Sequence, residues 1–198
     1  LAHGLCMNDL QWKRQGHDHG AALARDLGYT PVYLHYNSGR HVSQNGREFA
    51  ALLQRLVQAW PVPVDELVIL GHSMGGLATR AWLRAYQADA RVHHVITLGT
   101  PHAGTWLGRF SQATNGRQMR LGGDWVRQLQ SSEPPARAGR FTCWYSNCDN
   151  IVFPPSTATL PGADNHHVNA TAHVHMVFAE PVFVEVQRWL DDAGANGT

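Results

Sequence analysis

The sequence has no apolar run long enough to cross a bilayer, which takes about 20 residues. Nothing at its start reads as a signal peptide. Charge of one sign is also missing. Sixteen Lys and Arg stand against 15 Asp and Glu, a formal net charge of +1. The basic residues are scattered without a Lys/Arg run, so nothing electrostatic argues for nucleic acid or an anionic membrane as partner. Cysteine is scarce. Of Cys6, Cys143 and Cys148, one must be unpaired within the chain. Fully extended, the stretch from Cys143 to Cys148 would span about 16 Å at ~3.3 Å per residue, beyond disulfide reach unless a turn intervenes. Cysteine content therefore does not set the redox compartment.

Histidine is plentiful, with 13 residues. They crowd at His17-Asp18-His19, His93-His94, His166-His167 and His173-Val174-His175. None of these has the helical i, i+4 pair with an intervening Glu that marks a zinc site, so no metal is expected. At 43% hydrophobic and 16% charged, the 198-residue chain has the composition of an ordinary globular protein. Its length fits one domain with a sizeable core.

Short β-branched runs alternate with longer amphipathic segments. Leu1–Gly4 reads as the end of a strand, Asp9–Leu27 as a helix stopped by Gly28, and Pro31–Tyr36 as a strand. Ser43–Trp60 is a helix with Phe49, Leu52, Leu53, Leu56 and Val57 on one face, ended by Pro61. Leu67-Val68-Ile69-Leu70 fits a strand buried on both faces. Met74–Tyr86 is a helix, His94–Leu98 and Phe141–Ser146 are strands, Asn165–Val168 is a weaker strand, and Pro181–Leu190 a closing helix. The succession predicts an α/β protein with a mostly parallel sheet between helices. Residues 104–140 break the rhythm and are expected to hold one or two short helices, one around Gly123–Leu129. With Trp106, Leu107, Phe110 and Trp125 they could form a small cap on an otherwise single domain.

Gly71-His72-Ser73-Met74-Gly75 is a G-x-S-x-G sequence that follows the buried-strand pattern and opens a helix pattern, the context this motif requires. So tight a turn leaves no room for side chains at the flanking positions. It puts the serine hydroxyl in the open above a helix N-terminus that favours negative charge. Ser73 is the candidate nucleophile. An attacked carbonyl then needs two backbone N–H donors for its oxyanion. Met74, after the nucleophile, supplies one, and Leu5, in His3-Gly4-Leu5, is the candidate for the other, since Gly4 permits close backbone approach.

The serine also needs a base held by a carboxylate, in the chain order Ser, acid, His. Asp149 is the first carboxylate past the strand Phe141–Ser146. Asp164 is its rival. His173 and His175 both stand late enough to be the base. The small residues Ala170-Thr171-Ala172 suit a loop passing near the nucleophile, which favours His173.

At this point the residues resemble a known family. Gly71-His72-Ser73-Met74-Gly75-Gly76, Thr97-Leu98-Gly99-Thr100-Pro101 and Tyr145-Ser146-x-x-Asp149-x-Ile151-Val152 look like the bacterial lipases and esterases of the α/β-hydrolase superfamily, especially the minimal, lidless ones. The resemblance runs from His3 to Leu190. It implies a three-layer α/β-hydrolase fold and carboxylic ester hydrolysis of a small-molecule ester or lipid, without metal or organic cofactor. It implies Ser73, Asp149 and His173 as the triad, the Asp-to-His interval supporting His173, and Leu5 and Met74 as oxyanion donors. In that family a central strand precedes His-Gly, of which only Leu1-Ala2 stand here, so the fold is expected to lack its N-terminal strand or strands. The stretch 104–140 is longer than a minimal lipase needs. The same triad would serve an amidase, thioesterase or acyltransferase, and the same scaffold a non-catalytic binding module.

Overall fold

Strand and helix signals alternate along the chain, and the computed structural model shows the layers they build. It describes residues 1–14, 16–85 and 92–195. A 3₁₀ turn at Asp9–Trp12 leads into a two-residue hairpin, β1 (Lys13–Arg14) against β2 (His17–Asp18), and then α1 (His19–Leu27). The expected helix over Asp9–Leu27 is therefore not continuous. Gly16 sits at φ +80°, where a helix cannot pass. Asp18 is extended at φ −148° and accepts from the Ala21 N–H at 3.2 Å, so it caps a helix that starts one residue later.

The rest follows the expected order: α2 (Val42–Ala59), β3 (Leu67–His72), α3 (Met74–Ala85), β4 (Val92–Leu98), α4 (Thr114–Gln118), α5 (Asp124–Ser131), β5 (Phe141–Tyr145), β6 (Asp164–His167) and α6 (Glu180–Ala195). Tyr86, expected as the end of α3, lies outside the described residues. The stretch Pro31–Tyr36 is not a strand with a full ladder. It is joined to Leu1 by two bonds, Leu1 N–H to the Val32 carbonyl at 2.7 Å and Leu34 N–H to the Leu1 carbonyl at 3.0 Å. Ala2, beside it, makes a single parallel bridge to Gly71.

The sheet runs β3-β4-β5-β6, every pair parallel. Successive side chains on a strand face opposite sides, and both sides are covered. Ile69, Val95 and Cys143 pack with Phe49, Leu53 and Trp82 of α2 and α3. Leu70, Ile96, Leu98 and Trp144 pack with Leu23 of α1 and with Val182, Val186 and Leu190 of α6. Each such side chain withdrawn from water contributes roughly 1.5–3 kcal/mol. This is the three-layer α/β-hydrolase arrangement.

Residues 104–140 pack through a third cluster, in which Met119 and Leu129 meet Val42, Met74, Leu77 and Ala78, with Trp125 against them. Trp106 and Phe110 stay exposed. Because the strands are parallel, their C-terminal ends share one edge, and the loops after them converge there.

Candidate active site

The run Leu67–Leu70 ends in an elbow. Ser73 follows β3 directly, opens onto α3 and adopts φ +54°. A non-glycine residue there is strained and persists only where its surroundings hold it. Here the Ser73 N–H donates to the Leu98 carbonyl at 2.9 Å. The glycines around it are required by contact. A Cβ on Gly71 would come within 2.9 Å of Gly76 backbone, and one on Gly75 within 2.2 Å of the Ala2 carbonyl oxygen. Strand and helix can fold back this closely only without those side chains.

Asp149 stands past β5 and His173 past β6, so both reach the same edge as Ser73. Both are buried. Asp149 Oδ1 accepts the backbone N–H groups of Ile151 and Val152, each at 2.8 Å. Its Oδ2 accepts from His173 Nδ1 at 2.8 Å. The His173 N–H donates to Asn150 Oδ1 at 3.3 Å. The rivals lie elsewhere. Asp164 is exposed and pairs with His166, and His175 is exposed on the turn Val174–Phe178.

His72 and Gly99 tie these parts together, and the reading of the sequence gave neither a role. The His72 ring lies 4.8 Å from that of His173, and its Nε2–H donates to the His173 carbonyl at 3.2 Å. Burial, reinforced by the nearby His173, pushes the His72 pKa down to about 3, so the ring is neutral. A Cβ on Gly99 would meet His173 Nδ1 at 3.0 Å and Asp149 Oδ2 at 3.1 Å. Thus Leu98 holds the serine while the next residue, Gly99, backs the Asp–His pair. The only signal for His72 was its place as the x before Ser73, which carries no chemistry by itself.

A Cβ on Gly4 would lie 3.0 Å from Ser73 Cβ, so the turn carrying Leu5 passes against the serine. His3 in that turn is fixed by Tyr36, whose ring stacks on it at 4.1 Å and whose hydroxyl donates to its carbonyl. Met74 is buried as the first residue of α3, where an N–H has no acceptor within the helix and the helix dipole is positive. Among the described residues no three His, Cys, Asp or Glu side chains gather as metal ligands, and Cys6, Cys143 and Cys148 are free thiols.

A parallel sheet covered by helices on both faces, with a serine on a strand-to-helix elbow, defines the α/β-hydrolase fold. Residues 28–149 match the model of the PGAP1-like alpha/beta domain, and the chain belongs to that family. Among solved structures it is similar to the mature lipase BlEst2 of Bacillus licheniformis, with a TM-score of 0.75 at 20% identity over 94% of this chain and 89% of that one. Lipase B of Aspergillus fumigatus gives 0.74 at 16% identity over 92% of this chain and 49% of that one. Est1E of Butyrivibrio proteoclasticus gives 0.63 at 14% identity over 98% and 86%. A comparison with curated proteins finds no match.

Proposed function

We propose that the protein is a serine carboxylesterase of the lipase type, with Ser73, His173 and Asp149 as its triad and the N–H groups of Leu5 and Met74 as oxyanion donors. The observation that carries this reading is the buried Asp149–His173 hydrogen bond of 2.8 Å at the sheet edge where Ser73 stands on strained backbone. With Nδ1–H committed to the carboxylate, the His173 Nε2 lone pair is left to act as base.

Nε2 takes the Ser73 hydroxyl proton as Oγ bonds to the ester carbonyl carbon, and the carbonyl π pair moves to oxygen. Collapse of this intermediate breaks the bond to the alcohol oxygen, which leaves with the proton from Nε2. Water then repeats the sequence on the acyl-enzyme, releasing the acid and restoring Ser73. Asp149 keeps the imidazole oriented and stabilises its charged form.

The surroundings support an apolar acyl group. Leu5, Trp106, Phe110, Ile151, Phe153 and Val174 are exposed around this edge. The Trp106 N–H donates to the Phe153 carbonyl at 2.8 Å, which joins the 104–140 segment to the loop after Asp149. On this reading that segment is a small cap.

The test is turnover of p-nitrophenyl esters of short and long acyl chains. The protein is expected to hydrolyse them with a preference for the longer chains. Ser73→Ala is expected to abolish both turnover and labelling by a fluorophosphonate. Near-normal activity in that variant would remove Ser73 as the nucleophile.

A further inference from the structure

Arg80 is an oddity of the core. It lies on α3 with a fully buried side chain, and its guanidinium is held by two different parts of the chain. Nε and the Nη2 group grip Glu133 as a fork, at 3.0 and 2.5 Å. Nη1 donates to the His102 carbonyl at 2.9 Å and lies 3.4 Å from His102 Nδ1. His102 is itself buried, and its Nε2 lies 3.1 Å from Thr97 Oγ1. Burial, then the Arg80 charge, keep His102 neutral. Nδ1 can then accept from Arg80 while Nε2–H donates to Thr97.

The segment pinned in this way, from Thr97 at the end of β4 to His102, reaches Ser73, Asp149, His173 and α3. Leu98 receives the Ser73 N–H, and Gly99 donates its own to the Trp144 carbonyl at 2.9 Å. Gly99 backs His173 and Asp149, as described. Thr100 closes on the nucleophile helix, where a Cβ on Gly76 would meet its Oγ1 at 2.1 Å. Stability alone does not call for a charge here, because apolar residues of similar volume serve a core as well as a buried ion pair does. What an apolar residue cannot do is direct several fixed hydrogen bonds at once.

We infer that Arg80, anchored by Glu133, is a positioning residue that sets the 97–102 turn through His102 and thereby aligns the Asp149–His173 pair with Ser73. The inference rests on the reading of His173 and Asp149 as base and acid. Glu133 follows α5 at the end of the 104–140 segment, so the same ion pair ties that segment to the nucleophile helix.

The experiment compares Arg80→Met, Arg80→Lys and His102→Leu in the full chain. kcat and KM are taken per fluorophosphonate-titrated site, and the far-downfield N–H proton of the His173–Asp149 bond is followed by NMR. Misplacement of the pair is expected to lower kcat by about ten- to a hundredfold in Arg80→Met, with KM changed by less than about twofold. The downfield proton is expected to shift or broaden. Arg80→Lys keeps the charge but loses the fork and falls between. His102→Leu leaves the Arg80–Glu133 pair intact, so it carries the test if Arg80→Met yields no folded protein. A per-site kcat and a downfield proton like the wild type's, with only the yield or melting temperature lowered, would reduce Arg80 to a structural role. Failure of the wild type to turn over esters would instead count against the proposed function, while the NMR comparison still decides the role of Arg80.

Discussion

Asp149 illustrates how one residue can be held by the backbone after it and still serve a partner far along the chain. Two N–H groups fix Oδ1, which leaves Oδ2 for a histidine 24 residues on. Asp149→Asn would present an amide N–H where the imidazole N–H now points. The ring would then favour the other tautomer, with its lone pair turned from the serine. On the proposed scheme kcat is expected to fall by on the order of 10³–10⁴; a loss in p-nitrophenyl ester hydrolysis smaller than about tenfold would remove Asp149 from the role. The candidate positions of Ser73, Asp149 and His173 were readable because each follows a strand and the first sits in a motif. His72 was not readable. Its partner, the His173 carbonyl, lies 101 residues away, and no local pattern announces a contact of that kind.

At the scale of elements, legibility tracked burial. β3, β4 and β5 are covered on both faces, so their apolar runs could be read as strands of a parallel sheet. Between Asp9 and Leu27 the apolar spacing of Leu10, Ala21, Leu23 and Ala24 suggested one helix, yet backbone conformation decided otherwise at Gly16 and Asp18. Asp18 is the main local determinant, since besides capping α1 it accepts from the Tyr33 hydroxyl and pairs with Lys13 at 3.4 Å. Asp18→Ala is expected to lower unfolding free energy by about 1 kcal/mol, and Asp18→Asn by less because the cap survives. Urea unfolding of the two variants checks this; equal midpoints for both and for the wild type would mean that the cap does not hold α1. The stretch Pro31–Tyr36 has strand-like sequence, yet two backbone bonds to Leu1 join it to its neighbour in place of a regular ladder.

The molecule as a whole stores histidines in neutral form. Burial pushes His19 down to about 4 and His72 down to about 3, from an ordinary 6.5, and His102 also lies well below it. His19 is anchored to the carbonyl of Val177, within the turn that follows His173. In the unfolded chain each histidine takes up a proton near 6.5, whereas the folded chain resists it. Below that pH the unfolded state binds more protons, so stability falls as pH falls, and above it these groups add no pH dependence. Between pH 6.5 and 5, His19 and His72 should each cost about 2 kcal/mol, a large share of the roughly 5–15 kcal/mol that holds a domain together. The urea midpoint is therefore expected to drop markedly from pH 7 to pH 5; an unchanged midpoint would overturn this account. The order of the parallel strands has a temporal side as well. Synthesis lays down the elbow first, the proposed acid much later and the proposed base last, each on its own strand. A partly made chain can hold a strained serine but has nothing to draw off its proton. Hydrolysis would begin only when β6 and the loop to His173 have docked, so each turnover would certify that the molecule performing it had finished folding.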